Sequence, residues 1–280
     1  MLKFKKIWLL LLIIPIGLVV FLQISNQENL QVHFFDVGQG DAILIETPGH
    51  NRILIDGGPD DSILQRLGEQ LPWTSREIDL VVLTHPHDDH LFGLVQVLQR
   101  YQVKQIIMTD AVHNSPRYLE WLKLIQDQKI PVRIIGQRQI VMVDDLALDF
   151  LYPNQNFVDQ DINNLNNTSI VLKLKYGQTS FLLMGDAEEE VEEALLLAKL
   201  DLSANILKVG HHGSDNATTE AFLQAVSPQE AIISVGADNS FNHPSQRIVR
   251  RLERQEVLIL RTDQQGTITI ESDGQSLSSF

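Results

Sequence analysis

Three of the nine histidines lie within six consecutive residues that read His-Pro-His-Asp-Asp-His and follow an apolar run typical of a strand. Just past a strand end, backbone alternation points His85 and His87 to one side, so both imidazoles can bind one metal ion. The chain then turns into a predicted helix. Asp89 and His90, at the start of this helix, face a neighbouring position where a second metal ion could bind. The spacing therefore predicts two adjacent metal sites, and the alternative interpretation is a solvated polar loop.

Two later segments also place metal-binding side chains directly after a predicted strand. Asp186 follows an apolar run and a glycine, and its carboxylate can bind two cations at once. The simpler alternative for Asp186 is a helix N-cap. His211 and His212 follow another apolar strand and a glycine, a pattern that fits a ligand and a loop residue equally well. Together with the first cluster, these segments predict the bridge and the closing ligand of a two-metal centre.

The elements that must position these side chains alternate as in an α/β domain. Short β-rich runs come first, separated by Gly and Pro turns. The run Ile78–Thr84 is predominantly apolar, as expected for a strand that is covered on both faces. Helices follow most of the later strands, and strands open and close the domain. This order predicts a four-layer αββα sandwich, in which two mixed sheets lie between helix layers.

The composition narrows the classes of function. The chain has 280 residues, with 44% hydrophobic and 21% charged side chains, which excludes a disordered chain and a multi-span membrane protein. It contains no Cys, which excludes a disulfide-linked partner, a thiolate nucleophile and a Cys-based zinc site. The net charge of −14 does not attract polyanions, so a nucleic-acid substrate needs a local patch or bound metal.

The N-terminal residues have the features of a membrane segment. Lys3, Lys5 and Lys6 precede an apolar run over residues 7–22. That run is slightly shorter than the ~20 residues of a typical span, but the lysines can snorkel. The alternative is a cleaved signal peptide, which the missing A-x-A pattern disfavours. We therefore expect a single transmembrane helix over residues 1–25 in the cell membrane and a catalytic domain over residues 26–280 outside the cytoplasm.

Several segments together resemble the metallo-β-lactamase superfamily and, within it, the C-terminal domain of ComEC-type DNA-uptake proteins. They are Phe35–Ala42, Leu54–Gly58, His85–His90, Asn167–Ser169, Met184–Asp186, His211–Ser214, Ser234–Gly236 and Asn242–Ser245. The resemblance covers nearly all of residues 30–275, and the first segment is particular to the ComEC-type branch. Full ComEC-type proteins carry many membrane spans that form a channel, so a role in DNA uptake does not transfer to a chain with one candidate span.

The resemblance implies two divalent metal ions, zinc or manganese. It implies that Asp56 orients a metal-binding His from behind. Many relatives in the superfamily carry a further His upstream of the bridging Asp, where this chain has asparagines. Either an oxygen of Asn167 or a water would then complete the first site, or that site binds its metal weakly. The implied ligands are His85 and His87 in the first site, Asp89 and His90 in the second, Asp186 as the bridge and His211 as the last ligand of the second site.

The expected activity is hydrolysis of a phosphodiester, in single-stranded DNA or another substrate, by a metal-activated water. Asp89 and His243 are the candidate catalytic residues. His243 could bind the substrate or protonate the leaving oxygen, and the alternative is an ordinary turn residue. The arginines of the next predicted helix form either a basic patch or a solvated face: Arg247, Arg250, Arg251 and Arg254. Two other functions are compatible with the motifs, namely hydrolysis of a small extracellular ester (a choline-phosphate ester or a lactone) and a non-catalytic metal-binding module.

Overall fold

The described residues, 29–72 and 74–280, of the computed structural model contain seventeen strands, seven α-helices and two short 3-10 helices. The strands are β1 (Leu30–Phe34), β2 (Ile43–Glu46), β3 (Arg52–Ile55), β4 (Glu77–Ile78), β5 (Leu80–Val82), β6 (Gln102–Val103), β7 (Ile106–Met108), β8 (Val132–Ile134), β9 (Gln139–Val143), β10 (Leu146–Tyr152), β11 (Val171–Tyr176), β12 (Thr179–Leu183), β13 (Ile206–Lys208), β14 (Glu230–Ile233), β15 (Leu258–Arg261), β16 (Ile268–Ser272) and β17 (Leu277–Ser279). The helices are α1 (Ser62–Gln70), α2 (Asp88–Arg100), α3 (Pro116–Gln128), α4 (Glu189–Leu197), α5 (Glu220–Val226), α6 (Gln246–Arg254) and α7 (Thr262–Gln265).

The strands form two mixed sheets and one short separate pair. The first sheet has the order β17-β16-β1-β2-β3-β5-β7-β8, the second has the order β15-β14-β13-β12-β11-β10-β9, and β4 pairs with β6. In the first sheet the strands from β17 to β3 are antiparallel, and those from β3 to β8 are parallel. The second sheet repeats this division, with antiparallel strands from β9 to β12 and parallel strands from β12 to β15.

Apolar side chains fill three layers between these elements. Alternate residues of β5 face opposite ways: Val81 packs with helices α1 to α3, whereas Leu80 and Val82 pack in the layer between the sheets. On the far side of the second sheet, Phe222 and Ile248 are buried among helices α4 to α6. Both sheets are thus covered on both faces, which explains why their central strands are mostly apolar. The predicted α/β sandwich is confirmed.

The apolar run Ile78–Thr84, predicted as one strand, is divided at Asp79. The side chain of Asp79 accepts a hydrogen bond from the Arg52 N–H (2.8 Å), and its own N–H donates to the Arg52 carbonyl oxygen (3.0 Å). The chain therefore leaves the small β4–β6 pair and enters the main sheet at this residue.

The predicted membrane anchor over residues 1–25 lies outside the described residues. Within the part of the chain that the structure describes, no helix combines the length and the apolar character needed to cross a bilayer.

Helix α2 approaches the turn after β3 so closely that a side chain does not fit between them. The Gly57 N–H donates to the His90 carbonyl oxygen (2.8 Å), and the Gly93 N–H donates to the Gly58 carbonyl oxygen (3.1 Å). A Cβ atom on Gly93 would lie 1.8 Å from the carbonyl oxygen of Gly57. Because the first turn of α2 carries Asp89 and His90, this contact sets the position of two predicted ligands.

We expect Gly93→Ala to destabilise the protein by about 2 kcal/mol or more, because the added methyl group must push α2 away from the turn. The matched control is Gly68→Ala in α1, where a Cβ meets nothing within 4 Å. Alanine is favoured over glycine in a helix, so the control should be stabilised by about 0.5–1 kcal/mol. Urea unfolding of both variants measures this, and equal stabilities would contradict the close contact.

Candidate metal centre

The predicted ligands meet where strands of the two sheets end. His85 and His87 follow β5 of the first sheet, whereas Asp186 follows β12 and His212 follows β13 of the second sheet. These strands belong to the parallel half of each sheet, so their carboxyl ends lie at one edge, where ligand sites form in α/β folds. Loops from both sheets therefore supply the same site.

One cluster of four potential ligands consists of Asp89, His90, Asp186 and His212, whose ligand atoms all lie within 4.8 Å of one another. The Oδ2 atom of Asp186 lies 3.2 Å from His90 Nε2 and 3.5 Å from His212 Nε2. The distance from His212 Nε2 to Asp89 Oδ2 is 3.4 Å. Three buried atoms, His90 Nε2, His212 Nε2 and Asp186 Oδ1, have no hydrogen-bond partner in the described part of the chain. Converging nitrogen and oxygen atoms of this kind fit a divalent cation.

His85 and His87 lie beside this cluster and face each other. His85 Nε2 is 3.0 Å from His87 Nδ1 and 3.9 Å from Asp186 Oδ2. The other nitrogen of His85 lies 3.1 Å from the Thr84 hydroxyl and 3.2 Å from the Ser169 hydroxyl, which leaves Nε2 directed at the site. Burial lowers the pKa of His85 well below its ordinary value, so the ring is neutral, the form that binds metals. Asp186 thus lies between two groups of histidines.

The structure places His212, and not the expected His211, beside Asp186 in the cluster. His212 Nδ1 is 2.9 Å from the Ser234 carbonyl oxygen, so its Nε2 faces the carboxylates. His211 Nε2 is 4.0 Å from Asp186 Oδ2, and its Nδ1 lies 2.9 Å from a carboxylate oxygen of Glu188 instead. Both histidines have positive φ, in a turn that directs consecutive side chains differently. The doubled histidine marked this position in the sequence, but only the turn decides which ring enters the cluster.

The structure places Asn166, and not the expected Asn167, over the site. The Oδ1 of Asn167 accepts a hydrogen bond from the Glu188 N–H (3.0 Å), and its amide group donates to Glu190 (2.9 Å). Asn166 donates to the Glu188 carboxylate (2.8 Å), and its buried Oδ1 has no hydrogen-bond partner among the described residues. Asn166 is therefore the better candidate for an oxygen ligand of the first site.

Asp56 lies behind His90 and holds its ring. The Asp56 carboxylate accepts hydrogen bonds from the Thr84 N–H (2.8 Å) and hydroxyl (2.7 Å), and it lies 2.8 Å from His90 Nδ1. Burial lowers the pKa of His90, but Asp186 and Asp56 outweigh burial and raise it well above its ordinary value. Asp186 has the same effect on the pKa of His212, again against burial. In the protein alone, imidazolium charges thus balance the carboxylates that a divalent ion would balance when bound.

A buried ion pair between Lys208 and Asp41 lies next to His212, and this pairing was not predicted from the sequence. The two side chains are only 0% and 2% exposed, and the second oxygen of Asp41 lies 3.4 Å from His212 Nδ1. Burial raises the pKa of Asp41, but Lys208 and His212 outweigh it and hold the pKa below its ordinary value. The signal in the sequence was a lysine inside the apolar strand β13, because a lysine buried there needs a charged partner.

His243 lies at the rim of the site, whereas the arginines of α6 lie elsewhere. The His243 ring centroid is 5.5 Å from that of His211, and burial together with His211 lowers the pKa of His243 to about 4. His243 is therefore neutral at neutral pH. Arg251 is buried and donates to the Thr218 carbonyl oxygen. None of the four predicted arginines lines the site, within the described residues.

An open cavity of about 230 Å³ lies above the cluster. It is lined by Gln39, His87, Asp89, Asn166, Asp186, His211, His212, Phe241 and His243. A second cavity, of about 760 Å³, shares Phe241 and His243 with the first and is otherwise lined mainly by Ser, Asn, Asp and Gln side chains. The two cavities provide room for an extended polar substrate beside the cluster.

The chain belongs to the metallo-β-lactamase superfamily, whose family match covers residues 35–237. It is similar to ComE operon protein 3 of Bacillus subtilis, with 31% identity over 255 aligned positions that cover 85% of this chain and 32% of that protein. It is also similar to competence protein ComA of Neisseria gonorrhoeae, with 27% identity over 246 positions that cover 86% of this chain and 32% of that protein. The chain thus spans about a third of the length of these curated relatives, and the resemblance to the ComEC-type branch is confirmed.

The fold also matches the metallo-β-lactamase fold protein YhfI of Bacillus subtilis, with a TM-score of 0.57 at 11% identity, over 90% of this chain and 100% of YhfI. At 11% identity, this similarity shows only that the chain and YhfI share a fold. The superfamily and the cluster of imidazole and carboxylate donors together support a metal-dependent hydrolase.

We expect Lys208→Met to lower the free energy of unfolding by about 3–5 kcal/mol, because it leaves the Asp41 carboxylate buried without its cation. The double variant Lys208→Met/Asp41→Asn should lose less free energy of unfolding than the single variant, since it removes both charges. Lys123→Met, which removes an exposed partner of Asp127, is the matched control and should cost less than about 1 kcal/mol. Urea unfolding in EDTA measures all three, and a double variant no more stable than Lys208→Met would contradict the coupling.

Proposed function

We propose that the protein hydrolyses phosphodiester bonds, in single-stranded DNA or another phosphodiester, with two divalent metal ions, zinc or manganese. The observation that carries this proposal is the convergence of six donor side chains from both sheets at the floor of an open polar cavity. They are His85, His87, Asp89, His90, Asp186 and His212. Membership of the metallo-β-lactamase superfamily supports the metal-dependent hydrolysis in this proposal.

When bound, the two ions would activate a water molecule and stabilise negative charge on the phosphate oxygens. The residues of this chain keep the donors in place for that chemistry. The Ser169 hydroxyl accepts a hydrogen bond from the Asp186 N–H (3.1 Å) while it contacts His85, and Asp56 orients His90. His243, at the rim, can donate a hydrogen bond from its neutral ring to a substrate oxygen.

The lining of the site supports a polar substrate over an apolar ester. Acidic, amide and imidazole side chains surround both cavities, and Phe241 is the only large apolar side chain among the described residues that line them. A phosphodiester anion would find no favourable partner among Asp89, Asp186 and Asp215 without bound cations. Metal ions are therefore required to hold the phosphate group as well as for the reaction.

For the location of this activity, we propose attachment to the cell membrane through a single span, with the catalytic domain outside the cytoplasm. The support is the basic cluster Lys3, Lys5 and Lys6 before the apolar run over residues 7–22.

The full chain loaded with manganese should hydrolyse bis(p-nitrophenyl) phosphate and single-stranded DNA and should contain about two ions per chain. Asp186→Asn should lower the rate at least about 100-fold, because it weakens the ligand shared by both sites. Asp127→Asn, at an exposed position, is the control and should keep the wild-type rate.

With a choline-phosphate ester and a lactone added to this panel, turnover of the lactone alone would contradict the phosphodiester assignment, and turnover of the choline-phosphate ester alone would contradict a nucleic-acid substrate. Less than one ion per chain, with no turnover, would instead indicate a non-catalytic binding module.

We expect turnover to be faster with manganese than with zinc, because an amide oxygen from Asn166 makes the first site harder than a third imidazole would. Asn166→His should shift the optimum towards zinc, since imidazole suits zinc well. Asn167→His is the matched control and should leave the metal ranking unchanged, because the Asn167 side chain bonds to Glu188 and Glu190. The explanation is wrong if zinc already gives the highest rate and Asn166→His changes nothing.

A further inference from the structure

Phe241 is a large aromatic side chain that is exposed beside a polar site. It is 64% exposed, and it lines both the cavity above the metal cluster and the larger cavity next to it. Its ring lies nearly parallel to that of His243, with an interplanar angle of 28° and a centroid distance of 5.8 Å. One face of the aromatic group is thus supported by another ring, at the boundary between the two cavities.

The loop that carries Phe241 is closed by one side chain. Asn239 donates hydrogen bonds to the carbonyl oxygens of Gly236 (2.8 Å) and His243 (2.7 Å), and it accepts one from the His243 N–H (2.9 Å). Beyond this closure, the Ser245 N–H donates to the carbonyl oxygen of Gly213 in the turn that carries His212. The loop is therefore held against the metal cluster at its base, and Phe241 projects from its closed tip.

The charge of the site explains why an exposed aromatic ring is useful there. Among the described residues that line the two cavities, none is Lys or Arg, whereas Asp89, Asp186 and Asp215 are acidic. A nucleic-acid strand held by its phosphates alone would depend entirely on the metal ions. Base stacking on an aromatic ring adds affinity that does not depend on charge and tolerates any base.

We propose that Phe241 is the stacking platform for a nucleobase next to the hydrolysed phosphodiester, so that the substrate is a single-stranded nucleic acid. This proposal rests on the phosphodiesterase function proposed above. The base would occupy the larger cavity, where amide and hydroxyl groups of Asn242, Ser245 and Gln246 can meet its polar edge. Stacking needs an unpaired base, and duplex DNA is therefore a poorer substrate.

The test compares two decamers of equal charge, oligodeoxyadenylate and a strand in which every base is replaced by an abasic tetrahydrofuran residue. For the manganese-loaded full chain, Phe241→Leu should lower kcat/KM on oligodeoxyadenylate at least about fivefold, mainly through KM. The same substitution should change kcat/KM for the abasic strand less than about twofold. Phe241→Trp should keep the wild-type preference for oligodeoxyadenylate over the abasic strand. Phe280→Leu, at another exposed phenylalanine, is the matched control and should leave kcat/KM unchanged for both substrates.

A binding measurement in EDTA separates this proposal from the proposed function. Wild-type protein should quench the fluorescence of a 2-aminopurine-containing decamer, and Phe241→Leu should weaken that binding at least about fivefold. Quenching without any hydrolysis in manganese would support stacking while refuting the phosphodiesterase function. Equal hydrolysis of both decamers without quenching, or an equal loss on both in Phe241→Leu, would overturn the stacking role and leave Phe241 as a structural residue or a contact for another protein.

Discussion

The carboxylate of Asp186 lies between two groups of imidazoles, 3.2 Å from His90 and 3.9 Å from His85, and is 2% exposed. A carboxylate buried to this extent is stable only when cations or hydrogen-bond donors surround it. The backbone delivers it there through Gly185, whose φ of +53° turns the chain sharply after β12. A Cβ atom on that glycine would lie 3.1 Å from Thr84, so the turn is also packed tightly against the loop that carries the histidines.

Concentrating so many charges in one place requires further charges behind them. Asp56 supports His90 from the first sheet, and Asp41 supports His212 while it is paired with Lys208 from the second sheet. Acidic and basic groups thus alternate from the cavity floor into the core. Each buried charge has a neighbour of opposite sign, which is the condition under which a charged network remains folded.

The two sheets have matching roles in building the site. Each has an antiparallel half and a parallel half that both pack in the apolar layer between the sheets, and the strand ends of the parallel half carry ligands. His90 belongs to the first sheet's side of the sandwich and Asp186 and His212 to the second. The distances between the donor atoms therefore depend on how the two sheets pack. The apolar core affects the chemistry of the site only by setting these distances. The loop of Phe241 extends the same edge and completes the wall of the cavity.

The sequence by itself determined the family and the sandwich architecture and predicted candidate donor groups, because these depend on local patterns. A ligand that directly follows an apolar strand, as His85 and Asp186 do, is visible in a short window of residues. The anchor over residues 1–25 stays a prediction from the same kind of pattern.

Only the tertiary structure decided between neighbours, with His212 in place of His211 and Asn166 in place of Asn167. Consecutive residues in a turn point in directions set by their φ and ψ angles, and distant contacts select those angles. The carbonyl oxygen of Ser234 orients His212, and the N–H of Glu188 donates a hydrogen bond to the side-chain oxygen of Asn167. The pairing of Asp41 with Lys208 was hidden for the same reason, because residues far apart in the chain meet only once the two sheets have packed.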